Sequence, residues 1–217
     1  LHLAILLAKA PSPPNQNQLA LFGINDGLFL QHEDRPGLMT KKEVRVQLLA
    51  DLELPEEGVL WDLGAGVGSI GLEALRLRPK LKLLSVEKRT GGRALIEANA
   101  VLLGVNPAAV IQEDVLDLLN NFRLPIELTK PNRVLLGGGG IKRTEILKAI
   151  LKKISQGSKI VIPLATIESL AELRPLLEGS GCKISLNQNQ SWRGLPLANG
   201  TRLTPMNPVL ILKGTLQ

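Results

Sequence analysis

The sequence is short of the residues that several function classes depend on. Cys182 is the sole cysteine among 217 residues, which excludes disulfide staples and cysteine metal clusters and fits a cytoplasmic setting. Aromatic residues make up 2% of the chain, with two Trp, three Phe and no Tyr, too few to stack unpaired bases, so no nucleic acid partner is expected. No apolar stretch approaches the roughly 18 residues of a membrane span, so no membrane partner is expected either. Two histidines occur, His2 in an apolar opening and His32 in the polar stretch Leu30–Gly37. Both are read as plain surface histidines, and no metal site is expected. What is in excess is positive charge, a net +6, which favours an anionic partner such as a polycarboxylate.

Hydrophobic residues at 44% are enough for a substantial core. The opening LHLAILLAK reads as a buried strand, and APSPPNQNQ (Ala10–Gln18) as an extended linker. Residues 1–22 are therefore set apart as a leader, a candidate remnant of an upstream domain, and 23–217 form the main domain. Lys41–Leu52 has the pattern of an amphipathic helix, with Val44, Leu48, Leu49 and Leu52 on one side. Short Val/Ile/Leu runs follow at Val59–Trp61, Leu81–Val86, Val110–Ile111, Arg133–Leu136, Lys159–Ile162, Lys183–Leu186 and Val209–Leu212. Helical patterns separate the first six, as in Leu95, Ala98 and Leu102, or Ile146, Ile150 and Ile154, or Leu170, Leu173 and Leu177. Strands alternating with helices predict an α/β fold, a doubly wound, mostly parallel seven-stranded sheet. Asn187–Pro208 shows no periodicity and is expected to be an irregular functional segment.

Two glycine patterns overlap in VLWDLGAGVGSIG (Val59–Gly71). From Asp62 the pattern is D-x-G-x-G-x-G; from Gly66 it is G-x-G-x-x-G, the dinucleotide fingerprint. Glu87 ends the second strand about 20 residues later, where such folds set a carboxylate on a ribose diol. That suits either a dinucleotide or S-adenosylmethionine. Asp62 separates them, because a carboxylate beside the turn repels a pyrophosphate and attracts the ammonium of a methionine moiety. Asp114, after the third strand, has two readings: a helix N-cap, or an acceptor for an adenine amino group with Val115 covering the ring. Four consecutive glycines, Gly137, Gly138, Gly139 and Gly140, end the fourth strand, and their ordering cost suggests a flat ligand against bare backbone. The Asn-Pro-Pro-aromatic motif of base N-methyltransferases is absent there, and Cys182 lies far from the expected chemistry.

With "GIND" at Gly23 and a following Phe29, "PGLMTKKEVR", "WDLGAGVGSIGLEA", "VEK", "IEANA", "VLLGGGG" and "NPV", the chain from Gly23 to Gly214 resembles a known family. It is similar to the precorrin-6B methyltransferase/decarboxylases of vitamin B12 (cobalamin) synthesis, and to the carboxyl-terminal half of a bifunctional enzyme of that pathway. The resemblance implies a class I S-adenosylmethionine-dependent methyltransferase fold of Rossmann-like type. It implies methylation of carbon 15 of a precorrin with loss of the ring C acetate carboxyl. It also implies that S-adenosylmethionine touches Thr40, Gly64, Ala65, Gly66, Val67, Gly68, Glu87, Asp114 and Val115. From its surroundings alone Thr40 reads as a helix N-cap, with Glu43 completing a capping box. A tetrapyrrole substrate carries many carboxylates, for which Arg193 and Arg202 are candidate grips beside Gly137, Gly138 and Gly139. No side chain is singled out as a titrating catalyst. A homo-oligomer is implied, with a tetramer as candidate assembly. The competing readings are an S-adenosylmethionine-dependent RNA or small-molecule methyltransferase and, disfavoured by Asp62, a Rossmann oxidoreductase.

Overall fold

The seven apolar runs become the strands of one sheet, and the periodic segments between them become helices. The computed structural model describes residues 15–33, 39–121, 123–138 and 140–217. In chain order the elements are α1 (Lys42–Leu52), β1 (Glu57–Leu63), α2 (Ser69–Leu77), β2 (Lys80–Val86), α3 (Gly92–Leu103), β3 (Ala109–Ile111), α4 (Val115–Asn121), β4 (Arg133–Leu136), α5 (Arg143–Leu151), β5 (Lys159–Leu164), α6 (Ile167–Gly179), β6 (Cys182–Asn189), β7 (Trp192–Leu197), β8 (Gly200–Pro205) and β9 (Val209–Leu216). The large sheet has the order β3-β2-β1-β4-β5-β9-β6. Its pairs are parallel except those of β9, which runs antiparallel to β5 and β6.

Both faces of the sheet are covered. Val59, Trp61 and Leu63 of β1 pack into the core with residues of α4, α5 and α6, whereas Leu60 packs with those of α1, α2 and α3. Double burial is why the runs are continuously apolar rather than alternating. Trp61 is fully buried and its indole Nε1 donates to Leu128 O at 2.8 Å, which satisfies the one polar atom it carries inward. Strand order reverses between β1 and β4, so the connections leaving them pass to opposite faces and leave a crevice at their carboxyl ends.

One expectation changes. Asn187–Pro208 is not irregular: β6 continues to Asn189, and β7 and β8 pair as a separate antiparallel hairpin. Nearly every hairpin residue is exposed, so no inward face imposes an alternating pattern on the sequence. The apolar strand assigned to residues 1–9 lies outside the described residues. The end of the Pro-rich linker is laid on the domain: Gln16 Nε2 donates to Val101 O at 2.8 Å, and the Arg76 guanidinium donates to the carbonyls of Leu19, Ala20 and Leu21. Among the described residues no helix is long and apolar enough to cross a membrane.

Candidate active site

The loop after β1 is fixed at its base by the neighbouring strand. Gly64 N and Ala65 N both donate to Val86 O, at 2.8 and 2.9 Å, and Gly68 then caps α2 in the left-handed region. Gly64 also has positive φ (+78°), and a Cβ built on it would lie 2.8 Å from Gly138 N and 2.9 Å from Gly138 Cα. The β1 and β4 loops thus touch backbone to backbone across the switch point. Gly71, the last glycine of the dinucleotide-like pattern, serves a different purpose. Its N–H donates to Asp62 Oδ2 at 3.1 Å, and a Cβ there would stand 2.8 Å from that same oxygen. This glycine makes room for a carboxylate, not for a pyrophosphate.

Three acids stand at the carboxyl ends of three strands around a cavity of about 420 Å³. Asp62 is 1% exposed, and burial, reinforced by the nearby Glu87 charge, pushes its pKa up to about 7 despite the Gly71 hydrogen bond. Glu87 Oε2 accepts from Gly66 N at 2.8 Å and Oε1 from Arg89 N at 3.0 Å, so the glycine loop and the end of β2 hold each other in register. Asp114 Oδ1 accepts from Leu116 N at 3.0 Å, the N-cap arrangement, and the Lys142 ammonium lies 3.8 Å from its other oxygen. Asp114 nevertheless lines the cavity, with Val115 beside it. Cap and cavity wall are the same residue.

Of the residues expected at the site, Thr40, Asp62, Gly64, Ala65, Gly66, Val67, Glu87, Asp114, Val115, Gly137 and Gly138 line this one cavity. Gly68 sits just behind the loop as the α2 cap, and Gly139 lies outside the described residues. Thr40 is not a helix cap. Lys41 holds that position with no side-chain capping bond to the helix amides, and Asp26 Oδ1 accepts from Lys42 N at 2.9 Å from a distant part of the chain. The capping box therefore does not form. Glu43 turns instead to Arg193, whose guanidinium holds the Glu43 carboxyl down at about 2. Arg193 is thereby engaged and is not free to grip a substrate, since a second carboxylate, Asp26 Oδ2, also lies 2.9 Å from its Nη2. Arg202 is exposed on β8 and is not among the cavity residues. Cβ atoms on Gly137 and Gly138 would point at Gly64, 3.1 Å from its carbonyl oxygen and 3.3 Å from its Cα, so loop-to-loop contact leaves a side chain little room there. His32 is half-buried rather than on the surface, and its Nε2 has no partner among the described residues. The reason lies two residues earlier, where Asn99 holds Leu30 by both amide and carbonyl and draws the chain inward. His2 lies outside the described residues.

Sequence reasoning missed Met39, Lys88, Arg89 and Ile146, which also line the cavity. Lys88 and Arg89 follow Glu87 directly and could have been found by extending that strand end. Ile146 could not, because its helical spacing reads as core.

The donor set fits S-adenosylmethionine. A buried carboxylate suits an ammonium, Glu87 at the second strand end suits a ribose diol, and Val115 with Ile70 offers apolar cover for a purine. A pyrophosphate would meet two carboxylates. A doubly wound sheet with an antiparallel strand beside its far edge, and an acid-lined crevice at the switch point, defines a class I S-adenosylmethionine-dependent methyltransferase. The S-adenosylmethionine-dependent O-methyltransferase of Thermotoga maritima has the same fold, with a TM-score of 0.64 at 15% identity over 85% of this chain and 69% of that one. Within the class, the chain belongs to the precorrin methyltransferase family, whose domain profile (precorrin methyltransferase domain) matches residues 31–215. A Pyrobaculum aerophilum protein named "Probable cobalt-precorrin-6B C(15)-methyltransferase (decarboxylating)" is 34% identical over 192 residues, 88% of this chain and 94% of its own. The crystal structure of precorrin-6y C5,15-methyltransferase from Geobacter metallireducens superposes with a TM-score of 0.81 at 25% identity, covering 91% of this chain and 99% of that one.

Proposed function

We propose that this chain transfers a methyl group from S-adenosylmethionine to carbon 15 of a precorrin, cobalt-containing or metal-free, with decarboxylation of the ring C acetate. The observation that carries the reading is the convergence of Asp62, Glu87 and Asp114 on one glycine-walled cavity, in a chain of the precorrin methyltransferase family. S-adenosylmethionine supplies the electrophilic methyl of its sulfonium when bound. Asp62 holds the ammonium, Glu87 accepts from the ribose hydroxyls, and Asp114 accepts from the adenine amino group. The backbone of Gly64, Ala65, Gly66, Val67 and Gly68 sets the depth of the cofactor, and Thr40 closes the opposite wall. A reduced tetrapyrrole carries its own nucleophilic carbon and electron sink, so the protein's part is proximity and alignment beside Gly137, Gly138 and Gly139. Residues 23–217 form the catalytic domain, working in the cytoplasm, with 1–22 preceding it.

Calorimetric titration tests this directly. S-adenosylmethionine is expected to bind and NAD to give no heat. Glu87→Ala should weaken cofactor binding by roughly 1.5–3 kcal/mol, about tenfold to a hundredfold, as expected for a lost hydrogen bond to a charged group. Tight NAD binding by the unaltered chain would overturn the methyltransferase reading.

We also propose that the chain assembles as a homo-oligomer, a tetramer being the candidate. The support is the β7–β8 hairpin, on which Trp192, Leu195, Leu197 and Leu203 are 52%, 42%, 56% and 71% exposed. Light scattering on the Leu197→Asp/Leu203→Asp variant is expected to give monomers with unaltered far-UV circular dichroism. A monomeric unaltered chain would refute the assembly.

A further inference from the structure

The motifs Gly23–Asp26 and Thr40–Arg45 give the cavity only Thr40, yet they meet each other around one buried guanidinium. Arg45 is 0% exposed. Its Nε donates to Glu73 Oε1 at 2.6 Å, its Nη1 to Thr40 O at 2.7 Å and to Asp26 Oδ1 at 3.1 Å, and its Nη2 to Ile24 O. The Phe29 ring lies 4.9 Å from Arg45 Cζ, stacked on the planar head. Glu73, also fully buried, accepts from Gly23 N at 2.5 Å and Ile24 N at 3.2 Å. The fork geometry of arginine makes such a convergence possible, and lysine could not replace it.

Asp26 extends this cluster outward. Its Oδ1 receives Arg45 and the first amide of α1, while its Oδ2 receives Arg193 of the hairpin. Arg193 is pinned in turn by a bidentate pair with Glu43, Nε to Oε1 at 3.0 Å and Nη2 to Oε2 at 2.7 Å. A continuous path of charge-assisted bonds therefore runs from β7 through Asp26 and Arg45 to the carbonyl of Thr40. Met39 and Thr40 are the part of the cavity wall that comes neither from a strand end nor from the connection that follows one. They belong to the chain entering α1: Met39 is buried in the core, and the Arg45 guanidinium holds the carbonyl of Thr40.

We propose that Arg193 and Asp26 are positioning residues for the cofactor site, through which docking of the β7–β8 hairpin sets the place of Thr40. The proposal rests on the reading that the cavity holds S-adenosylmethionine. Linkage makes it reciprocal: if a docked hairpin favours the cofactor, the cofactor favours a docked hairpin.

Arg45→Met would strand the buried Glu73 carboxylate and fail to fold, so the test uses Arg193→Gln, Arg193→Lys and Asp26→Asn in the full chain. The unaltered chain is titrated first, and if it does not bind S-adenosylmethionine the cofactor reading and this proposal fall together. If it binds, Arg193→Gln is expected to raise the dissociation constant about fivefold to tenfold, within the range for residues that couple sites without touching ligand. Turnover at saturating cofactor should be retained, the thermal melt should stay close to the unaltered one, and Arg193→Lys should recover part of the loss. The Arg193→Gln/Asp26→Asn double variant should bind no worse than Asp26→Asn alone, since both lie on one path. Hydrogen exchange supplies the reciprocal measurement, with added S-adenosylmethionine slowing the amides of residues 192–205. An unchanged dissociation constant in Arg193→Gln, fully additive losses, or hairpin exchange indifferent to cofactor would each overturn the proposal. A raised KM for the precorrin with cofactor affinity intact would also overturn it and return Arg193 to the substrate.

Discussion

Asp62→Asn is expected to make the unliganded protein more stable at pH 8 and to cost about a hundredfold in affinity for S-adenosylmethionine. Both effects come from one buried charge. In an unfolded chain the Asp62 carboxyl loses its proton near its ordinary value of 3.8, whereas in the fold it holds the proton to about 7. Folding therefore takes up a proton between these values, and stability falls as pH rises through that window, levelling off only above the folded value. A displacement of about three pH units corresponds to a penalty on the order of 4 kcal/mol once the group is ionised in both states. Asparagine keeps the acceptor for Gly71 N–H and removes the charge, so a recovery of roughly 1–3 kcal/mol is expected, read as a rise in melting temperature of several degrees. With Asp62 in its proposed role, the same change deprives the cofactor ammonium of its counter-charge, at roughly 3 kcal/mol. In that role Asp62 must be ionised for binding, so affinity of the unaltered chain should fall about tenfold for each pH unit below 7, and the Asn variant should lose this dependence. A lower melting temperature for Asp62→Asn at pH 8 would show that its buried charge does not cost stability, and cofactor affinity that is flat with pH in the unaltered chain would show that Asp62 does not face the ligand as a charge.

Gly64→Ala carries the other large effect. The added methyl would need to occupy space 2.8 Å from Gly138 N, at a residue whose φ of +78° already disfavours any Cβ. The obstructing atoms are backbone, so no side-chain rotation relieves them. Left-handed strain of about 1–2 kcal/mol and overpacking of about 1–3 kcal/mol add to roughly 2–5 kcal/mol, enough to lower the melting temperature by about 5–15 °C. Cofactor binding should be lost with it, because parting the β1 and β4 loops opens the crevice proposed to hold the cofactor. Gly66→Ala is the control: its φ is +60° but nothing stands within 4 Å of the new atom, so only the backbone term of about 1 kcal/mol applies. Equal melting temperatures for the two variants would mean that the loops can part without cost, and Gly137–Gly138 would no longer be explained by this contact.

The layout of the sheet was legible in the sequence because its cause is local. Strands buried on both faces must be continuously apolar, helices on one face must repeat at 3.6 residues, and the glycine loop sits between the two kinds of pattern. The seven strands fall where the apolar runs lie, each lengthened by a few residues at most, and the acids at three strand ends are found by counting from those runs. The hairpin left no such trace, since strands exposed on both sides answer to no buried face. The partners of the site residues were also hidden. Asp62 meets Gly71, Gly64 meets Gly138, and Arg193 meets Glu43 and Asp26, across separations that neither propensity nor periodicity encodes. Glu43 illustrates the point: its spacing from Thr40 suits a capping box, but the chain fold brings a guanidinium within reach, and a bidentate ion pair outcompetes a single carboxylate–amide bond. Local chemistry determined which segments are strands, helices and a ligand loop, while the tertiary structure alone decided which charges face the cavity and which are spent holding it together, because that choice depends on what the topology brings within 3 Å.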